Sequence, residues 1–181
     1  FGISESLKSK TKKTKVKDIR DVTSEDIENI DIVIHMSELS NDPMGELEPR
    51  ITKEINVGGT KKLISAVNKS NISKFIYMSS CSVYGFNESS ANENSEPNPL
   101  TEYAKAKVEN EKNLLNNEGE YEVKILRNAT AFGYSPNHRL DLVVNDLVYS
   151  ALSNKKIEVL SDGSPIRPIV HIRDICKVIS Y

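Results

Sequence analysis

The chain has 181 residues, 38% of them hydrophobic and 28% charged, and a formal net charge of −2. This is the composition of a folded domain with a core of ordinary size, and it argues against a disordered segment. The near-neutral balance offers no global attraction to nucleic acid or to an anionic membrane. The apolar runs are too short to span a bilayer, and no secretory signal is visible. Cys81 and Cys176 then read as free thiols of a reducing cytoplasm.

Residues 1–20 are polar and basic, with Lys8, Lys10, Lys12, Lys13, Lys15 and Lys17. Without interleaved aromatics this run reads as a solvated loop or frayed helix rather than a nucleic-acid patch. IDIVIHM (30–36) is rich in β-branched residues and predicts a buried strand. Ile51, Ile55, Leu63, Ile64 and Val67 recur at helical spacing across 46–70. KFIYMS (74–79) predicts a second strand. Pro97 and Pro99 open a predicted helix from about Leu100 to Asn116. EVKILR (122–127) predicts a third strand, and 141–153 a helix with Asp141 near its N-cap. KIEVL (156–160) and IVHI (169–172) predict two more strands, and RDICKVIS begins a last helix.

Strands alternating with helices imply βαβ units and a mostly parallel sheet, with ligands at the carboxyl ends of the strands. The segments SELS (37–40), SCSVYG (80–85) and NATAFG (128–133) are therefore expected to line the site. Tyr103 and Lys107, in TEYAKAK, stand four apart and share one helical face. A free tyrosine has a pKa of about 10, and lowering it by about three units takes roughly 4 kcal/mol. A neighbouring cation supplies part of that. Alone the pair is a weak signal. SSCSVYG strengthens it by offering a hydroxyl for the same substrate oxygen, although Ser79, Ser80 and Ser82 equally well satisfy backbone groups at a strand end. His35, His138 and His171 share no metal-ligand spacing, and no metal site is expected.

Seven segments in order, DIRD (18–21), IDIVIHMSELS (30–40), EINVGGT (54–60), FIYMSSCSVYG (75–85), TEYAKAK (101–107), ILRNATAFG (125–133) and DGSPIRPIVHIRD (162–174), resemble the extended short-chain dehydrogenase/reductase superfamily. Within it they resemble the NAD-dependent nucleotide-sugar epimerase/dehydratase family. The resemblance implies an α/β fold, a partial Rossmann-like doubly wound parallel sheet with the start of a small substrate-binding subdomain. Residues 1–135 would form the partial NAD(P)-binding domain. Residues 136–181 would contribute to sugar-nucleotide binding and complete the last part of the fold. It implies Ser80, Tyr103 and Lys107 as the catalytic set. It implies cofactor contacts at Asp18, Ile19, Met36, Ser37, Glu38, Asn56, Tyr103 and Lys107. It implies substrate contacts at Ser80, Thr130, Asn145 and Arg167, the guanidinium facing a pyrophosphate. The implied cofactor is NAD, with NADP left open. The implied substrate is a nucleotide-diphosphate sugar, and the complete enzyme would be a cytoplasmic homodimer.

Three departures qualify the resemblance. The family's Gly-rich strand–turn–helix, which cradles the cofactor pyrophosphate, has no counterpart, because FGISESL (1–7) corresponds to the loop after the second strand. The start at Phe1 and the stop at Tyr181 suggest a piece of a longer reading frame. The 181 residues alone are expected to bind NAD poorly or not at all; calorimetric titration showing micromolar affinity would contradict this. Glu38 stands where the family has a small residue, and a carboxylate beside a pyrophosphate is repulsive unless it turns away. Cys81 and Ser82 follow Ser80 where dehydratases carry an acid, which favours epimerisation or keto reduction. A truncated, non-catalytic homologue is the alternative.

Overall fold

The computed structural model describes residues 14–40, 47–87, 89–136, 139–159, 161–164 and 166–181. FGISESL, most of the basic run and His138 lie outside them. The fold is the Rossmann-like α/β type. Lys17–Arg127 forms one compact unit, and Asn128–Tyr181 with residues 14–16 belongs to another.

The first unit is built on a sheet of three strands, β1 (Ile32–His35), β2 (Lys74–Ser80) and β3 (Glu122–Asn128), in the order β1-β2-β3. β1 and β2 run parallel, with Ile32 opposite Lys74 and His35 opposite Tyr77. Phe75, Ile76 and Tyr77 are all buried, so β2 is covered on both faces, as suits a central strand. β1 differs from the expected fully buried strand. Val33 and His35 are buried, but Ile32 and Ile34 are 48% and 39% exposed. Among the described residues β1 is the outer strand of this sheet, and its buried Val33 and His35 face the helix at Gly59–Val67.

That helix belongs to the 46–70 segment, which is helical as its periodicity predicts. It is divided into α1 (Pro49–Lys53), a π turn (Glu54–Gly58) and α2 (Gly59–Val67). Leu63, Ile64 and Val67 of α2 join Val33, Phe75, Tyr77 and Leu114 in the core. The widened π turn carries Asn56 and Val57 inward, a device often found at functional sites. α3 (Glu102–Leu115) starts later than the prolines suggested, because the Thr101 hydroxyl accepts from Ala104 N at 3.2 Å and caps it.

In the second unit β4 (Thr130–Phe132) pairs in parallel with β5 (Ile169–His171), Thr130 opposite Ile169. β4 lies within NATAFG (128–133), one of the segments expected to line the site, and its ladder to β5 holds it as a strand. α4 (Val143–Asn154) begins after Leu142, and Asp141 pairs with Arg139 rather than capping. The predicted strand at 156–160 does not form over 156–159. Ile157 and Val159 are 58% and 60% exposed there, with no partner strand among the described residues. α5 (Ile172–Ser180) is capped by the His171 ring, whose Nδ1 accepts from Arg173 N at 3.1 Å.

Two adjacent glycines carry unequal constraints. A Cβ on Gly59 would fall 2.5 Å from Ile19 Cγ2, whereas one on Gly58 would meet nothing within 4 Å. Ile19 is branched at Cβ and moves little. Gly59→Ala should therefore destabilise the fold by about 1–3 kcal/mol. Gly58→Ala should stabilise it by up to about 1 kcal/mol through helix propensity. Urea unfolding of the two variants checks this, and equal effects would contradict the packing assigned to Ile19.

Candidate active site

Residues Tyr103, Lys107, Asn110, Glu111 and Leu114 fall at i, i+4, i+7, i+8 and i+11, so α3 turns all of them to one face. Lys107, Asn110, Glu111 and Leu114 are buried and Tyr103 is half-buried. α3 lies against the end of β2. The Lys107 ammonium donates to Met78 O at 2.5 Å and stands 5.4 Å from the centroid of the Tyr103 ring. Ser80 ends β2, and its hydroxyl accepts from Ser82 N at 3.2 Å and from Ser82 Oγ at 2.9 Å. Sequence thus brings Tyr103 and Lys107 together and sets Ser80 at the strand end beneath their helix.

Glu38 turns inward. One carboxylate oxygen accepts from Tyr77 Oη at 2.7 Å and Asn110 Nδ2 at 3.0 Å. The other meets Lys107 Nζ at 2.6 Å, an ionic contact rather than an aligned hydrogen bond. The two side chains are only 3% and 5% exposed. Burial pulls the Lys107 pKa down, and the Glu38 charge opposes that pull. Burial, then the Glu38 charge, push the Tyr77 phenol far up, so Tyr77 stays a proton donor. The carboxylate feared for a cofactor pyrophosphate is accordingly directed away from the surface.

A second layer holds this pair. Asn56, fully buried, accepts from Leu39 N at 2.8 Å and donates to Leu39 O at 2.9 Å, fastening the loop that carries Glu38. Asn110 Nδ2 also lies within 3.0 Å of Asn56 O and 3.1 Å of Thr60 Oγ1. Thr60 gives its own proton to Asn56 O at 2.6 Å, so His35 Nε2 must be the donor in its 2.8 Å bond to Thr60. Burial pushes His35 down to about 4; the Glu38 charge opposes this and the Lys107 charge adds to it. Beside this cluster, Glu111 takes a forked contact from Arg127, closest at 2.7 Å, and a 2.5 Å bond from Ser79 Oγ. Arg127 continues to Tyr84 Oη at 3.0 Å and to Glu93 O at 3.3 Å, tying the loop after Ser80 to β3. Gly85 allows the turn, with φ +63° and Asn98 O where a Cβ would stand.

The other expected residues lie elsewhere. Met36 and Ser37 are exposed at the end of β1. Asp18 accepts from Arg20 N at 2.9 Å and from its guanidinium, which lowers the carboxyl to about 2. Ile19 packs over Gly59. Thr130, Asn145 and Arg167 belong to the second unit. There Thr130 N bonds Pro168 O at 3.1 Å, Asn145 donates to Arg139 O at 3.0 Å, and Arg167 is exposed. His35, Thr60, Tyr77 and Asn110 were not expected at the site. Asn110 could have been found, because a polar side chain at i+7 from Tyr103 falls on the helix's inner face.

The first unit is thus a parallel α/β unit in which Tyr103 and Lys107 share one helix face against the end of a strand. The family model for the NAD dependent epimerase/dehydratase family matches residues 8–181, and the chain belongs to that family. It is 28% identical over 127 residues to a Bacillus subtilis protein described as an uncharacterized UDP-glucose epimerase, YtcB, covering 69% of this chain and 40% of that one. It is 24% identical over 151 residues to human dTDP-D-glucose 4,6-dehydratase, covering 83% and 43% respectively. The structure of MoeE5 in complex with UDP-glucose and NAD superposes with a TM-score of 0.81 at 25% identity, covering 91% of this chain and 56% of that one. The chain thus spans less than half the length of these two curated relatives. No helix among the described residues is long and apolar enough to cross a membrane.

His35 supplies a pH test of the buried cluster. Its folded value of about 4 lies below the ordinary 6.5, so between these values the unfolded chain binds more protons. The contribution to stability is full above pH about 6.5 and is lost as pH falls through 4, by up to about 3 kcal/mol. The His35 ring resonance should stay neutral down to pH about 4 in an NMR titration. A midpoint near 6.5 would contradict the burial and the Thr60 bond.

Proposed function

We propose that the chain serves an NAD-dependent epimerase, or a keto reductase of the same chemistry, acting on a nucleotide-diphosphate sugar. Membership of the family and the likeness to a UDP-glucose- and NAD-bound protein support the class. The observation that carries the choice within the class is Ser82. It stands two residues after Ser80 and spends its hydroxyl on Ser80 Oγ, so no carboxylic acid is placed there to help eliminate water.

The residues suited to the cofactor are the exposed Met36 and Ser37 at the β1 end, with Asp18 and Ile19 on the adenine side. Lys107 fits less well, because its ammonium faces Glu38 and Met78 O instead of the surface. NAD, when bound, supplies the acceptor for the hydrogen that leaves the sugar carbon as hydride. Tyr103 takes the proton of the sugar hydroxyl and returns it at the end of the cycle. Ser80 holds the same oxygen and orients that proton transfer. Arg167 would meet the sugar-nucleotide pyrophosphate as a planar two-pronged donor, with Thr130 and Asn145 as further polar contacts.

A non-catalytic homologue is the second reading, and the commitment of Lys107 to Glu38 favours it. Tyr103→Phe separates the two. In a protein that turns over UDP-sugars, the variant should lose at least about 100-fold in kcat while substrate affinity changes little. Unchanged turnover would refute the role of Tyr103, and a wild-type protein without turnover on any nucleotide sugar would leave the second reading standing.

A further inference from the structure

One ion pair holds the chain on both sides of Ser80. Glu111 on α3 and Arg127 on β3 meet at 2.7 Å, with side chains 4% and 18% exposed. Just before Ser80, the Ser79 hydroxyl donates to Glu111 Oε1 at 2.5 Å. Just after Ser80, the chain enters a 3-10 turn, Cys81–Tyr84, for which Ser80 is the N-cap. Tyr84 closes that turn. Its Oη accepts from Arg127 Nη1 at 3.0 Å, and its ring centroid lies 5.0 Å from the guanidinium carbon.

The donors of Arg127 are divided between these tasks. Nε and Nη2 fork onto the Glu111 carboxylate, Nε at 3.1 Å from each oxygen and Nη2 at 2.7 Å from Oε2. Nη1 is thereby directed to Tyr84 Oη and, at 3.3 Å, to Glu93 O. A lysine would keep the charge but not this fixed fork. Bonds to charged groups are also stronger than neutral ones, so both anchors are firm. The turn between them is tight. Ser80 Oγ accepts from Ser82 N at 3.2 Å and from Ser82 Oγ at 2.9 Å, and Gly85 N donates to Ser82 O at 3.1 Å. A displacement of Tyr84 is therefore passed to Ser80 through a single turn.

We propose that Glu111 and Arg127 are positioning residues for Ser80, fixing its hydroxyl by holding Ser79 before it and Tyr84 after it. This rests on the reading of Ser80 as the group that holds the sugar oxygen, but the placement itself can be measured without substrate.

The test is amide hydrogen exchange, followed by NMR on the folded chain. The Ser82 and Gly85 amides report on the turn. The Ile76 and Tyr77 amides report on β2, in its ladder with β1. In Arg127→Lys the turn amides should exchange at least about tenfold faster relative to the β2 amides, as suits the loss of a hydrogen bond to a charged group. Tyr84→Phe leaves the ion pair in place and should speed the turn amides in the same selective way, which keeps the test decisive if Arg127→Lys does not fold. Equal acceleration of both sets would show a role in global stability alone and would overturn the proposal, as would turn amides that keep their wild-type rates. In a protein that turns over UDP-sugars, Tyr84→Phe should lose about tenfold in kcat with KM within about twofold of wild type. A rise in KM with kcat unchanged would contradict the positioning role. A wild-type protein without turnover would count against the reading of Ser80 only, because the exchange rates decide the positioning by themselves.

Discussion

The ion pair between Glu38 and Lys107 is the constraint around which the first unit is arranged. Two opposite charges with side chains only 3% and 5% exposed must be matched closely, because desolvation costs several kcal/mol per ion. The surrounding elements supply that match. β2 gives Tyr77 and the Met78 carbonyl, α3 gives Asn110, and the π turn gives Asn56, whose two bonds to Leu39 fix the loop bearing Glu38. The register of β1 against β2 and the rotation of α3 are both fixed by this polar centre, as well as by Phe75, Leu63 and Leu114 around it.

The same centre links fold to chemistry. Tyr103 lies one turn before Lys107 on the same face of α3, its ring centroid 5.4 Å from the ammonium. In this chain of the NAD dependent epimerase/dehydratase family, the lysine beside Tyr103 is paired with Glu38. The Arg127–Glu111–Ser79 chain performs the parallel task for the other side of the strand end, steadying the loop that follows Ser80. Both networks place polar groups where a sheet end would otherwise leave them unpaired.

Much of this was legible in the sequence. Alternating strand and helix patterns gave the α/β class, and TEYAKAK after SSCSVYG gave the juxtaposition of helix and strand end. What was not legible depends on partners distant in the chain. KIEVL has strand composition, but a strand requires a ladder, and no described residues pair with 156–159. Glu38 is the clearest case. Residue type alone marked it as out of place, and only its inward direction, set by Tyr77, Asn110 and Lys107 from later segments, shows why a carboxylate is tolerated there. Those three contacts span 39 to 72 positions of sequence, beyond any local pattern.

A double-mutant cycle on stability tests the central claim most directly. Glu38→Gln, Lys107→Met and the double variant would be compared with wild type by urea unfolding. If the pair is buried and mutually compensating, each single change leaves one uncompensated charge and costs about 3–5 kcal/mol. The double change should then cost well below the sum of the two, with a coupling of at least about 1 kcal/mol. Additive costs, or single changes each below about 1 kcal/mol, would show that Glu38 and Lys107 do not depend on one another and would contradict the account.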